Sequence, residues 1–479
     1  MSVNINVPPS PAPSETGVLR LKGSAIVDAN GHEVLLKGAG LGGWLNMENF
    51  ITGYPGHETE MRRALSKVLG QEKYDFFFDR FLEYFFDDKD AEFFASLGLN
   101  CLRIPFNYRH FESDLNPGVF LERGFLWLDR VINICARRGI FTILDLHAAP
   151  GGQNVDWHSD TGIHKALFWE HKEFQDRSIA LWRKLAARYK GNTWVAGYNP
   201  LNEPTDKEHT RVLAWYERVN QAILEVDPEH IQFYDGNTFA ADFSRFGQPL
   251  PNSVYAIHDY SNFGFPAGEP YKGTPEQKMR LESSFKRKIA YHLKHGGHIW
   301  NGEFGPVYAG PTDAPDWESI NVDRYNVLKD QLSLYDQHKV SWSIWLYKDI
   351  GFQGMVYCAP DTPYMKRLDA FLQKKKRLAA DAWGADTSTV KDVFDPLEAW
   401  FVKEVPHIKQ RYPSTWRPNN HIGRIMRNIL LSEELIPEYA AYFDGLTNQQ
   451  LDEMAASFKF ENCMQREGLN LVLREHAAK

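Results

Sequence analysis

Eight short runs rich in β-branched and aromatic residues, each followed by a longer stretch with apolar residues three or four positions apart, restrict this chain more than any other feature. The runs are VLLKGAG, NCLRIPF, FTILDLH, WVAGYNPLNEP, HIQFYDG, VYAIHDY, HIWNGEFG and VSWSIWLYK. Between them, 74–97, 121–138, 176–190, 210–226, 275–295 and 322–338 have the spacing of amphipathic helices. Near-continuous apolar strands, rather than alternating ones, suit a parallel sheet covered on both faces. An open doubly wound sheet shares the alternation, and the count of eight favours closure. The expected fold class is therefore α/β, a (β/α)8 TIM barrel with elaborated βα loops and a C-terminal helical extension. Two of the loops, 148–168 and 261–274, are long enough to form pocket walls.

The expected organisation has three parts. Residues 1–18, with a proline- and serine-rich stretch over 8–14, read as a flexible N-terminal arm. Residues 19–388 read as the catalytic barrel, and 389–479 as a helical extension without a ninth strand. Amphipathic segments of the extension (VFDPLEAWFVKEV, SEELIPEYAAYF, NQQLDEMAASF) suit packing on the barrel or self-association. The KKKR run at 374–377 reads as a solvated helix face rather than an import signal.

Composition narrows the function classes. With 479 residues, 43% of them hydrophobic and 24% charged, the chain can bury a large core and is not of a disordered type. Its formal charge of -8 opposes a polyanion, so no nucleic-acid partner is expected. Cys101, Cys135, Cys358 and Cys463 are far apart and form no CxxC pair, the pattern of free thiols. The first twenty residues hold no apolar core of a secretion signal and no run of 18 apolar residues occurs, so a cytoplasmic address without a membrane span is expected.

Chemistry is expected where barrel strands end. Two ends carry glutamate: Glu203, in Asn199-Pro200-Leu201-Asn202-Glu203-Pro204, closes the fourth run, and Glu303, in Trp300-Asn301-Gly302-Glu303, closes the seventh. Pro204 favours extended geometry for Glu203. Neighbours on a strand point to opposite sides, so Asn202 and Glu203 can share a pocket only if the backbone departs from regular geometry, and a bulge is expected there. Paired carboxyls across a barrel mouth suit glycoside hydrolysis, one kept protonated to serve the leaving oxygen and the other ionised to attack the anomeric carbon.

These segments resemble glycoside hydrolase family 5, of the clan with its acid/base on strand four and its nucleophile on strand seven. Within that family the chain is most similar to fungal exo-β-1,3-glucanases and their intracellular β-glucosidase relatives. The resemblance runs over 19–348 and rests on KGAGLGGWL (37–45), GLNCLRIP (98–105), LDLHAAPGGQN (144–154), the NEP segment, AIHDY (256–260) and WSIW (342–345). It implies that Glu203 is the acid/base and Glu303 the nucleophile of a retaining double displacement. It likewise places Asn202 on the sugar 2-hydroxyl, Arg103 beside the nucleophile, His147 and His258 as hydroxyl and carboxyl partners, and Tyr260 as a donor to the nucleophile. Trp345 falls at the stacking floor, and Glu48 where exo-glucanases grip the terminal glucose.

The resulting expectation is an exo-acting β-glycosidase that removes terminal β-D-glucosyl units from a β-glucoside or a β-1,3-glucan oligosaccharide. Three departures, HAAPGG where secreted glucanases show HGAPGS, the missing signal and a dissimilar segment after Asp349, point to a small intracellular substrate such as a glucolipid, an aryl or flavonoid glycoside, or an oligosaccharide. A non-catalytic sugar-binding barrel is the alternative of another class. Gly38-x-Gly40-x-x-Gly43 matches the dinucleotide fingerprint in form, but Trp44 and the turn-like Asn46 to Asn49 follow it where a helix should open, so no cofactor is expected. No metal is expected either, since Gly56-His57-Glu58-Thr59-Glu60 lacks the second histidine of a zinc motif.

Overall fold

The computed structural model describes residues 5–380 and 386–479, which leaves 1–4 of the expected arm and 381–385 near the expected barrel boundary outside the described residues. Eight parallel strands close into a barrel: Lys37–Gly40, Cys101–Asn107, Phe141–Ala148, Val195–Asn199, Ile231–Asp235, Ser253–His258, Ile299–Glu303 and Ser341–Ile344. They fall on the eight runs. Apart from the half-buried Ser253, every residue in them is buried, which is why the runs are continuously apolar instead of alternating.

The barrel interior has two layers, and their order creates the site. At the N-terminal end, Cys101, Ile143, Ala196, Ile231, Phe233, Ala256 and Trp300 fill the lumen with hydrocarbon, and Leu19 and Ile26 of a small hairpin (Arg20–Lys22 with Ala25–Val27) plug it from below. One inward step further along the strands come Arg103, Asp145, Asn199, Asp235 and His258, all buried. A dry floor beneath a polar layer raises the strength of each charge interaction above it.

The fourth strand is bulged, but not where the sequence suggested. Thr142 pairs with Val195 and Ile143 with Gly197, so Ala196 is the extra residue. The shift lets Ala196 join the inner cluster while Tyr198 turns outward against Trp182, and Asn199 then faces the lumen. Asn202 and Glu203 lie beyond the strand, which ends at Asn199. Glu203 is not extended either: its φ is 44°, left-handed, despite the following proline. The Asp235 carboxylate holds the Glu203 amide at 2.9 Å and Asn154 donates to its carbonyl at 3.1 Å, contacts that sustain a conformation disfavoured for a residue with a Cβ.

Helices surround the barrel. The stretch 74–97 is not one helix: Glu58–Phe85 and Asp88–Ser96 are separated by a capping box in which Asp87 and Asp90 each accept the other's backbone N–H. The described part of the arm lies along the barrel surface, with Asn133 donating to the Pro8 carbonyl at 2.8 Å and Trp194 to that of Ala12 at 3.0 Å. No helix among the described residues is long and apolar enough to cross a membrane.

The extension packs back on the barrel. Phe443 and Phe458 insert against Phe77 and Phe81 of the Glu58–Phe85 helix, and Lys37 of the first strand donates to the carbonyl of His476 in the Glu467–Ala477 helix. It contributes a strand after all: Cys463–Gln465 pairs antiparallel with Val356–Cys358, which pairs with Lys348–Asp349. Three residues are too few to register as a period. The KKKR run is a solvated face at Lys376 and Arg377, as expected, but not at Lys375. Lys375 is 3% exposed and its ammonium caps the carbonyls of Asn49, Gly53 and Tyr54 at 2.7 to 2.9 Å, while Lys374 pairs with Glu438. Polar backbone at the end of a buried turn demands a donor, and the lysine supplies it.

Candidate active site

The last residue of the seventh strand, Glu303, projects into the polar layer. Arg103, fully buried on the second strand, donates to Glu303 Oε1 at 2.7 Å, and the Tyr260 hydroxyl donates to Oε2 at 2.9 Å. The same guanidinium lies 3.0 Å from Asp145 and bonds to the amide oxygens of Asn202 and Asn199 at 2.7 and 3.1 Å. One arginine thereby fixes four neighbours, and those anions hold its own pKa above the usual range against the opposing effect of burial. Burial also raises the Tyr260 hydroxyl well above its ordinary pKa, so it remains a donor.

Glu203 stands in different surroundings. Its Oε1 is 2.6 Å from His258 Nδ1 and its Oε2 is 3.2 Å from His158 Nε2. Burial pushes its pKa up, but charge attraction from His258 and the hydrogen bond from His158 prevail and hold it well below the carboxylate range. Burial lowers His258, yet Glu303, Asp235 and Glu203 together raise it. Both shifts favour an ionised Glu203 beside a protonated His258, whereas service as the acid calls for the proton to reach the Glu203 carboxyl. His258 Nδ1 lies 3.6 Å from Glu303 Oε2, and one oxygen of each glutamate and this nitrogen all lie within 4.8 Å of one another. Gly302 is needed here because a Cβ would stand 2.8 Å from His258 Nε2.

The remaining expected residues line the same cavity. Asp145 holds His147 Nδ1 at 2.7 Å, and although burial lowers this imidazole, Asp145 raises its pKa to about 10. His147 Nε2 faces Glu48 at 3.5 Å, and Trp157 donates to the other Glu48 oxygen at 3.2 Å. Trp345 lies parallel to His147, with an interplanar angle of 4° and centroids 5.3 Å apart. Gly40 and Gly42 make room for the indole, since a Cβ on either would come within 2.7 Å of its ring. Of the fingerprint-like glycines only Gly40 belongs to this bed, since Gly38 backs on the Cys101 carbonyl and Gly43 on Ile51. Glu48, His147, Glu203, His258, Tyr260, Glu303 and Trp345 all line one pocket of about 470 Å³, with Arg103 and Asn202 immediately behind it.

Residues 80–351 match a family model described as "Cellulase (glycosyl hydrolase family 5)". The chain belongs to glycoside hydrolase family 5. A relative named "Beta-xylosidase" from Phanerodontia chrysosporium is 58% identical over 467 residues, covering 96% of this chain and 98% of its own. One named "Probable glucan 1,3-beta-glucosidase A" from Aspergillus fumigatus is 25% identical over 363 residues, 68% of this chain and 85% of that one. A solved structure described as "Crystal structure of endogalactoceramidase" shares the fold with a TM-score of 0.51 at 18% identity, over 70% of this chain and 75% of that one. The protein is thus a glycoside hydrolase with a carbohydrate substrate.

Several residues of this family 5 site were missed by the sequence reading. Asp235 ends the fifth strand, so the rule that selected Glu303 also selects it; it carries the Glu203 amide and lies 3.5 Å from His258 Nε2. Asp145 was legible as the inward neighbour of His147 on the third strand. Gln153 joins two loops by donating to the carbonyls of His147 and Asn202 at 2.6 and 2.9 Å. His158 gave no signal, because it stands in a single 3-10 turn, Trp157–Ser159, away from any strand end. Nor did the part of the pocket wall that comes from the extension, including Phe394, Trp416 and Arg424.

Proposed function

We propose that the protein is a retaining, exo-acting β-glycosidase that removes a terminal β-D-glucosyl unit from a β-glucoside or a β-1,3-glucan oligosaccharide. The observation that carries this reading is the pair of carboxylates in unlike surroundings, with oxygens within 4.8 Å of each other. Retaining enzymes keep their carboxyls about 5 to 5.5 Å apart, and an inverting pair needs about 6.5 Å or more to admit a water.

Glu303, held by Arg103 and Tyr260, attacks the anomeric carbon while the bond to the aglycone oxygen breaks. Formation of the glycosyl ester consumes the negative charge of Glu303, one of the anions that raises His258. The imidazole then releases its proton along the 2.6 Å contact to Glu203 as Glu203 delivers one to the leaving oxygen. Water next attacks the ester, its proton returns to Glu203, and the sugar leaves with its original configuration. Asn202, its oxygen fixed by Arg103, presents its amide nitrogen toward the 2-hydroxyl, and Trp345 supplies the floor.

Exo action is supported by Glu48, locked between His147 and Trp157 on the lining of the pocket. A second reading is that the terminal unit is β-xylosyl, favoured by the relative that is 58% identical and named "Beta-xylosidase". Xylose lacks only the hydroxymethyl group of glucose. The decisive experiment measures kcat/KM on 4-nitrophenyl β-glucoside and β-xyloside for the wild type and Glu303→Gln, with the configuration of the first product followed by NMR. A β product that interconverts only later, together with loss of both activities in the variant, supports the reading. An α product, or a variant close to wild type, overturns it.

A further inference from the structure

The pocket, about 470 Å³, is roomier than one sugar requires, and part of its wall is made by two parts of the chain far apart in sequence. Phe239 and Phe265 come from barrel loops, Phe394 and Trp416 from the C-terminal extension, and all four line the cavity that holds Glu203 and Glu303. Trp416 stacks on Phe239 with centroids 5.3 Å apart and planes 19° from parallel, and the Arg424 guanidinium lies 3.6 Å over the same indole. Arg424 is in turn paired with Asp156 at 2.6 Å, in the loop that carries Trp157 and His158.

Phe239 is placed at a backbone cost. Thr238, Phe239 and Ala240 are three consecutive residues with φ of 56°, 59° and 56°, a conformation disfavoured for each of them. Such strain persists where surrounding contacts over-determine it, and it gathers at functional sites. Here the Thr238 hydroxyl meets that of Tyr412 at 2.9 Å, and the Phe239 amide donates to the carbonyl of Pro204, the residue after Glu203. The turn ties the extension, the aromatic wall and the Glu203 loop together.

Two of the charged groups around this wall are engaged with protein, Arg424 with Asp156 and Arg427 with the Ala379 carbonyl at 2.7 Å, while Lys391 and Asp395 stand exposed at its rim. A second sugar seated on the four rings would need partners for several hydroxyls that the rings do not supply, and the polar lining residues Asn262, Asn419 and Asn420 stand beside them. We propose that Phe239, Phe265, Phe394 and Trp416 form the subsite for the aglycone, which they select as a flat or ring-bearing apolar group instead of another sugar, so that the C-terminal extension is part of the active site. This rests on the glycosidase reading above, and the test separates the two.

Glu303→Gln protein serves as a non-turning-over trap. Dissociation constants are measured calorimetrically for methyl and 2-naphthyl β-glycosides, in the gluco and xylo series, and for cellobiose, with and without Phe394→Ala or Trp416→Ala. We expect the naphthyl glycosides to weaken by about tenfold or more with either substitution, methyl glycosides by less than about twofold, and Trp416→Phe to restore most of the loss. Equal weakening of methyl and naphthyl ligands would mean that the extension only supports the sugar subsite, and it overturns the proposal. So does a loss for cellobiose as large as for naphthyl, or no change at all. Phe394 is only half-buried, so its substitution keeps the test informative if Trp416→Ala fails to fold. Failure of the glycosidase reading has a different signature: no glycoside binds the trap even with the extension intact.

Discussion

Replacing Asp235 by asparagine changes one charge beneath the reacting groups and almost no volume, and it tests where the catalytic proton is kept. Asp235 Oδ2 lies 3.5 Å from His258 Nε2 and accepts the Glu203 amide at 2.9 Å, while Oδ1 accepts Asn199 Nδ2 at 3.1 Å. Two unit charges 4 Å apart in an effective dielectric of 20 interact by about 4 kcal/mol, which sets a ceiling of about three pK units on what Asp235 gives His258. The asparagine dipole and local relaxation recover part of this, and the expected shift is about one to two units. Loss of an anion makes the stored proton easier to lose, so the basic limb of the kcat/KM profile moves to lower pH.

The profile also has a predicted shape. Burial raises Asp235 to about 6, with His258 and Arg103 opposing, so the wild-type residue is charged mainly above that pH. The two enzymes should differ little near about pH 5 and diverge steadily above about pH 7. The assay is initial-rate kinetics on an aryl β-glycoside in overlapping buffers, with thermal unfolding recorded at each pH. Parallel profiles offset by a constant factor, or a basic limb that stays in place, would refute the idea that Asp235 sets the proton affinity of the Glu203–His258 pair.

Three further outcomes are expected. Glu203→Ala should lose about 10² to 10⁴ in kcat on a poor leaving group but far less on 2,4-dinitrophenyl glycosides, and added azide should yield a β-glycosyl azide detectable by mass spectrometry and NMR. Lys375→Met should lower stability by about 3 kcal/mol or more in denaturant titration, because three buried carbonyls lose their donor, and should raise KM, because the released turn follows Glu48. His147, raised to about 10, contributes stability that is fully present below its unfolded value of about 6.5 and is lost as pH climbs through 10; thermal melts should show that decline, and His147→Asn should flatten it.

The barrel was legible because its strands are buried on both faces, which writes eight apolar runs into the sequence with little ambiguity. Glu303, Arg103, Tyr260 and His258 were legible from the resemblance and from position at strand ends, and the structure places them in contact. What failed to show were features set by register and by tertiary contact. The bulge at Ala196 depends on which residue of the third strand it faces, and Pro204 could not dictate the φ of Glu203 against the hold of Asp235 and Asn154. Lys375 looked like one of four surface cations until the turn it caps was in place.

The same limit explains the largest omission. Phe394, Trp416 and Arg424 have no periodicity that marks a pocket, since each is meaningful only against a partner from the barrel, Phe239 or Asp156. The sugar side of the site is built from strand ends, which a fold of this class prescribes, whereas the outer side is built from chain that the fold does not require. Substitutions at strand ends should therefore change the rate on every substrate together. Substitutions in the extension should reorder substrates by aglycone while the sugar preference holds, and that separation follows from the architecture itself.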